Sequence, residues 1–89
     1  MSLELAPLSY IDCLSYMIDK GCELPSDRFD FCISVSDGEK RRGAIGMYAD
    51  GTTCKLGHLY TDGTALVGSI LYGAAYRAAK ALGYKEIVL

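Results

Sequence analysis

The sequence predicts a mixed α/β (α+β) domain built on a mainly antiparallel sheet, with elements in the order β-α-β-β-β-α-β. Three observations lead there. Between Phe29 and Tyr60, apolar and polar side chains alternate in runs broken by Asp37-Gly38 and Asp50-Gly51, the pattern of strands joined by tight turns. Ala65 to Leu82 contains no proline and sets Val67, Ile70, Leu71, Ala74, Ala78 and Leu82 at three- and four-residue spacing, the stripe of a helix lying on a sheet. After Gly83, Glu86-Ile87-Val88-Leu89 returns to β-type residues, so the end of the chain is a strand-turn-helix-strand unit.

The elements follow in order. Leu3 to Leu8 alternates loosely and reads as a short strand that Pro7 places at an edge or ends. Ser9 caps a helix to about Lys20, with Ile11, Leu14, Tyr16, Met17 and Ile18 on its apolar side and Gly21 as its stop. Cys22 to Arg28, containing Pro25 and Ser26, reads as a loop. Phe29 to Ser36 is a half-buried strand, with Phe29, Phe31, Ile33 and Val35 on one face and Asp30, Cys32, Ser34 and Ser36 on the other. The turn from Asp37 ends near Arg42, and Gly43 to Ala49 returns with Ile45 and Met47 opposing Gly46 and Tyr48. Thr53 to Tyr60 closes the meander, Cys54, Leu56, His58 and Tyr60 pointing one way and Lys55, Gly57 and Leu59 the other. Asp62-Gly63 turns the chain into the long helix, with Thr64 as its N-cap. Arg77 and Lys80 in its last turns suit the helix dipole, and Gly83 stands where a C-cap glycine belongs.

Length and composition exclude several function classes. Eighty-nine residues make one domain, 1–89, with a small core. Hydrophobic residues at 51% and charged residues at 22% are a globular balance, not a disordered one. A formal charge of -2 gives no footprint for nucleic acid, and Lys40-Arg41-Arg42 reads as a solvated hairpin tip. No apolar run approaches the roughly 20 residues of a membrane span and no signal peptide is visible, so the expectation is a soluble, cytoplasmic protein. Cys13, Cys22, Cys32 and Cys54 form no CxxC pair, and the lone His58 completes no zinc site; all four read as reduced small hydrophobes, with no metal expected.

The functional interest lies at the front of the long helix. Residues 63–69 offer backbone N–H groups without helical partners beside a helix dipole, and Gly68 and Ser69 let a ligand come close. That is the physics of a phosphate or pyrophosphate site. Every helix has such a terminus, and most bind only water and a cap.

Element order and motif meet here. A meander, a glycine-containing turn and a long helix ending in Ala81-Leu82-Gly83-Tyr84-Lys85-Glu86-Ile87-Val88-Leu89 resemble the N-terminal two-thirds of an acetyltransferase of the GNAT superfamily. More narrowly, Thr61-Asp62-Gly63-Thr64 and the helix that follows resemble a small phage and prophage family of GNAT-like proteins. The likeness covers residues 29–89, is specific over Thr61 to Tyr84, and reaches the first 28 residues only in element order. It implies a partial GNAT-like acyl-CoA N-acyltransferase fold with acetyl-CoA as the acyl donor. In that superfamily the amides of an R/Q-x-x-G-x-G/A turn hold the pyrophosphate, and the motif falls here on Gly63-Thr64-Ala65-Leu66-Val67-Gly68. Gly68 matches, whereas Gly63 stands at the Arg/Gln position and Leu66 at the first glycine. Backbone amides do not depend on side chains. The implied cofactor site is therefore Leu59, Tyr60, Gly63, Thr64, Ala65, Leu66, Val67, Gly68 and Ser69, with the pantetheine arm along Gly57 to Tyr60. The chain departs from the superfamily in stopping at the strand after this helix, without the later elements and their general-acid tyrosine. The expectation is a fragment, or a homodimer in which a second copy completes the exposed sheet edge.

Acetyl transfer to an amine needs a base for the amine and an acid for the leaving thiolate. His58 carries the imidazole, the side-chain type that titrates nearest neutrality, on the strand before the turn; Tyr60 and Tyr72 are candidates to protonate the thiolate. Each has a plain structural reading as well, His58 as a hydrogen-bonded sheet histidine and the tyrosines, seven in all, as packing groups. Asp62 is read as structural, orienting the turn or capping the helix. The expected function is acetyl-CoA-dependent N-acetyl transfer to an unidentified amine. The alternative is a catalytically inactive GNAT-shaped binding or assembly module of phage or prophage origin.

Overall fold

In the computed structural model, which describes residues 3–23, 28–38 and 40–89, a five-stranded sheet carries one helix on each face. Pro25 and Ser26 of the expected loop lie outside the described residues. The elements are β1 (Leu3–Pro7), α1 (Tyr10–Asp19), β2 (Phe31–Asp37), β3 (Lys40–Asp50), β4 (Thr53–Thr61), α2 (Val67–Ala81) and β5 (Glu86–Val88), in the predicted order. Spatial order equals chain order. Strands β1 to β4 are antiparallel, and β5 runs parallel to β4, Glu86–Val88 against Thr53–Lys55. The parallel step needs a crossover, which α2 supplies.

Helix α2 covers one face. Val67, Leu71, Ala74, Ala75 and Ala79 are buried, and the cluster there includes Val35, Ile45, Met47, Cys54 and Leu56. The row runs at four-residue steps from Val67, so Ala75 and Ala79 do the packing expected of Ala78 and Leu82. Leu82 is the C-cap, past the last helical turn, and is 59% exposed. Gly83 closes the helix as expected: at φ 92 its amide reaches the Lys80 carbonyl at 3.0 Å while the Tyr84 amide reaches Ala79 at 3.2 Å, a Schellman closure that only a left-handed residue allows.

Helix α1 covers the other face. The Ser9 side chain caps it, accepting from the Asp12 amide at 3.1 Å. Cys13 and Met17, four apart, pack with Phe29, Cys32 and Ala44. The sequence expects a wider apolar side, but Ile11 and Ile18 flank that row and are exposed. All four cysteines are unbridged. Cys13 and Cys32 share a side-chain hydrogen bond across the seam, and that bond, then burial, pushes the Cys32 thiol up.

Three local corrections have clear causes. Phe29 does not continue the face of Phe31, Ile33 and Val35. The Asp30 amide is pinned to the Met47 carbonyl at 2.9 Å and its carboxylate to the Ala49 amide at 2.7 Å, so β2 starts at Phe31, two residues later than expected, and the Phe29 ring swings to the α1 side. Arg41 and Arg42 are half-buried residues of β3 rather than a solvated tip. In β4, Ile45 faces Leu59 while Gly46 faces Gly57, which leaves His58 as an extra residue at φ 50. This bulge breaks the expected alternation: Leu59 joins Cys54 and Leu56 in the α2-side core, and Tyr60 turns against Tyr16 at 5.6 Å between ring centroids.

Gly46 has no room for a side chain on the α1 face, since a Cβ there would lie 2.5 Å from the Phe29 ring. Gly46→Ala should cost about 1–3 kcal/mol by overpacking, lowering Tm by roughly 4–8 °C per kcal/mol in a domain of this size. Thermal unfolding of Gly46→Ala, Phe29→Ala and the double variant checks the cause. Removing the ring should relieve the clash, so the double variant should lose less than the sum of the singles.

Candidate functional site

Among the described residues, β4 has no strand beside it on its outer edge from Leu56 to Thr61, because β5 pairs only with Thr53–Lys55. That edge runs past the His58 bulge into a turn built by Asp62. The Asp62 amide donates to the Arg42 carbonyl at 2.9 Å; its carboxylate accepts from the Thr64 amide at 2.9 Å and from the Arg42 guanidinium at 3.1 Å. Arg42 also reaches Asp37, at the end of β2, at 3.4 Å. Hydrogen bonds from Thr64, side chain first and amide second, with Arg42 adding, pull the Asp62 carboxyl down to about 2.

Held in this way, Thr64 is not the N-cap. The helix begins at Val67, and Leu66 takes the cap position at φ 71 with no side-chain cap. A left-handed residue bearing a Cβ costs about 1–2 kcal/mol, and the Leu66 residue is 71% exposed, so burial does not offset that cost. The Val67 amide reaches the Thr64 carbonyl at 3.3 Å and the Ile70 amide the Leu66 carbonyl at 2.9 Å. Between them, among the described residues, the Gly68 and Ser69 amides have no acceptor. Uncapped amides carry the positive end of the helix dipole. Gly68 keeps the approach open, since a Cβ there would meet nothing nearer than Thr61 Cγ2 at 3.8 Å.

The expected cofactor residues thus lie on one path. The Leu59 side chain packs in the core, which leaves its backbone to the edge; Tyr60 follows, and Gly63 to Ser69 form the turn and first helical residues. His58 sits at the bulge with Nε2 2.8 Å from the Glu23 carbonyl. A carbonyl only accepts, so Nε2 carries the hydrogen and Nδ1 of the neutral ring keeps its lone pair. Its ring lies 5.7 Å from that of Phe29. Tyr60 stands edge-on to Tyr16, whose hydroxyl donates to the Arg41 carbonyl at 3.3 Å. Burial first, then Tyr60 and Asp62, pushes the Tyr16 phenol up to about 12.

Tyr72 is not gathered in. It is 36% exposed on α2, and among the described residues no hydrogen bond or ring contact joins it to His58 or Tyr60. Sequence reasoning missed Arg42, hidden in a basic run; a cation twenty residues before a turn aspartate gives no local signal. Among the described residues no group of three or more His, Cys, Asp or Glu could hold a metal ion, and no helix is long and apolar enough to cross a membrane. A cleft of about 570 Å³ lies apart from this path, between α2 and the β1–β2 edge, where Leu5, Pro7, Phe31, Ile33 and Leu82 line it.

No protein-family model matches the chain, and no curated protein matches it in sequence. Solved structures match it in fold. The PaiA N-acetyltransferase from Thermoplasma acidophilum, in complex with coenzyme A, aligns over 94% of this chain and 76% of its own, at 15% identity and a TM-score of 0.71. An aminoglycoside acetyltransferase from an uncultured soil metagenomic sample, in complex with trehalose, aligns over 96% and 74%, at 12% identity and 0.68. YhhK from E. coli, assigned as an N-acetyltransferase and bound to coenzyme A, aligns over 89% and 70%, at 18% identity and 0.59. The chain has the fold of the GNAT N-acetyltransferases. At these identities the likeness is one of fold.

The Asp62 turn makes a titration prediction. A carboxyl lowered in the folded state contributes fully above its unfolded value, near 4, and loses that contribution as pH falls through its folded value. The Thr64 amide resonance should therefore shift with a midpoint near 2. A midpoint near 4 would show that the Asp62 contacts are absent in solution.

Proposed function

We propose that this chain binds an acyl-coenzyme A and transfers its acetyl group to an amine. The observation that carries this is the bulged edge of β4 running into a turn whose Gly68 and Ser69 amides are unclaimed, in a fold whose solved neighbours include two with coenzyme A bound. The pyrophosphate would accept from the amides of the turn and first helical residues, 65–69, where dipole and open approach favour an anion. The pantetheine arm would run along the backbone of Gly57 to Tyr60, adding the hydrogen bonds a strand neighbour would make. That path leaves the thioester by the bulge, within reach of His58.

In the transfer, the amine nitrogen attacks the thioester carbonyl carbon, the C–S bond breaks, and the sulfur leaves as a thiolate that must gain a proton. His58 Nδ1, the nitrogen not committed to Glu23, would take the amine proton, directly or through one water. Tyr60 is the candidate to return a proton to sulfur. Tyr72 takes no part.

Isothermal titration with acetyl-coenzyme A tests the binding step. Micromolar affinity is expected. Gly68→Ala should keep it, because the site has room for a methyl, whereas Gly68→Asp should weaken it about 100-fold or more by setting a carboxylate against the phosphates. Leu66→Gly should bind more tightly, supplying the left-handed turn without the exposed side chain. No heat from folded wild-type protein would sink the acyl-coenzyme A reading and leave a binding or assembly module of the same shape. Where binding holds, His58→Asn, which tolerates positive φ, should leave the affinity unchanged and slow turnover with amines about 100-fold or more, the usual worth of a positioned base.

A further inference from the structure

We infer that Arg42 is a positioning residue for the acyl-donor site, acting through Asp62 rather than on the ligand. This rests on the acyl-coenzyme A reading. The guanidinium leaves β3 and spans two carboxylates, Asp37 at the end of β2 and Asp62 in the turn after β4. One strand thus ties the last residue of the strand before it to the first residue of the turn that follows. Arg42 also holds Asp62 by its backbone, through the carbonyl that accepts the Asp62 amide. With both ends of Asp62 held by Arg42, its remaining carboxylate oxygen takes the Thr64 amide, and two residues after Thr64 the chain passes through the costly left-handed Leu66 into α2.

The charge arithmetic asks for such a device. A carboxylate beside a phosphate site opposes the ligand unless it is neutralised or earns its place by geometry. Asp62 is both paired and turned, its two oxygens directed to Arg42 and Thr64. Side-chain exposures of 21% for Arg42 and 19% for Asp62 leave the pair partly shielded from water, so it is screened less than a surface pair.

This gives opposite signs for two explanations. If Asp62 were a bystander, Asp62→Ala would remove a negative charge from the phosphate site and acetyl-coenzyme A would bind more tightly. If Asp62 positions the turn, the same change weakens binding. We expect about a tenfold loss for Asp62→Ala and for Arg42→Ala, with Arg42→Lys recovering part of it. Acetylpantetheine, which has no pyrophosphate, should bind all of them equally, which separates a disordered turn from a damaged fold. The ligand-free readout is the Thr64 amide, whose hydrogen exchange should quicken in Arg42→Ala. An unchanged Thr64 amide, or tighter binding by Asp62→Ala, overturns the positioning role. Absence of acetyl-coenzyme A binding by the wild type, with Thr64 still perturbed in Arg42→Ala, overturns the acyl-donor reading while leaving the tie between strand and turn.

Discussion

One extra residue in β4 decides how the rest of the molecule is arranged. Side chains alternate along a strand with a period of two, so an insertion of one exchanges the faces of everything beyond it. His58 is that insertion. Before it, Cys54 and Leu56 belong to the α2 core; after it, Leu59 does, although regular alternation would send Leu59 outward. Without the bulge, Leu59 would leave the core into which α2 packs Val67 and Leu71, and Tyr60 would enter it in place of meeting Tyr16. The bulge therefore serves both layers at once. It also sets a polar ring beside the strand edge that the ligand path is proposed to follow.

The start of α2 shows a second constraint. A helix entered directly from Thr64 would use that hydroxyl as its cap and spend its free amides locally. Asp62 claims Thr64 instead, and the chain reaches Val67 through Leu66 in the left-handed region. The result is a helix whose first amides face outward with no cap. Such an arrangement is expensive in isolation, since it combines unsatisfied donors with an unfavourable φ. Costs of this kind collect where a ligand later satisfies the donors.

Much of the fold was legible in the sequence because it depends on short-range periodicity and punctuation. Asp50-Gly51, Ser9, Gly21 and Gly83 sit at turns and helix ends that their chemistry requires, and apolar residues at three- and four-residue spacing from Val67 mark α2, although the buried row itself runs through Ala75 and Ala79. The failures share a different origin. Phe29 leaves its strand face because Asp30 bonds to β3, a partner distant in sequence. The bulge at His58 comes from register with β3, and nothing in Gly57-His58-Leu59 announces which residue is extra. Lys40-Arg41-Arg42 looks like a solvated tip until Asp37 and Asp62 are seen to converge on Arg42. Of the proposed site, the free amides at Gly68 and Ser69 were readable from their place at a helix start, whereas the contact between Arg42 and Asp62 was not.

A glycine is favoured at a left-handed position because it adopts positive φ without a Cβ penalty. Leu66, which stands at the first motif glycine, takes that conformation all the same, at φ 71. Its side chain is left at the surface, and the helix behind it starts without a side-chain cap. The arginine or glutamine position, filled by Gly63, lacks a side chain, while Arg42 and Asp62 supply a charged tie from the neighbouring strand. Recognition through backbone amides survives such exchanges, because the donors belong to every residue type except proline and only their orientation has to be kept. A chain with 11–18% identity to its solved neighbours thus keeps their fold while its own second helix starts with uncapped amides.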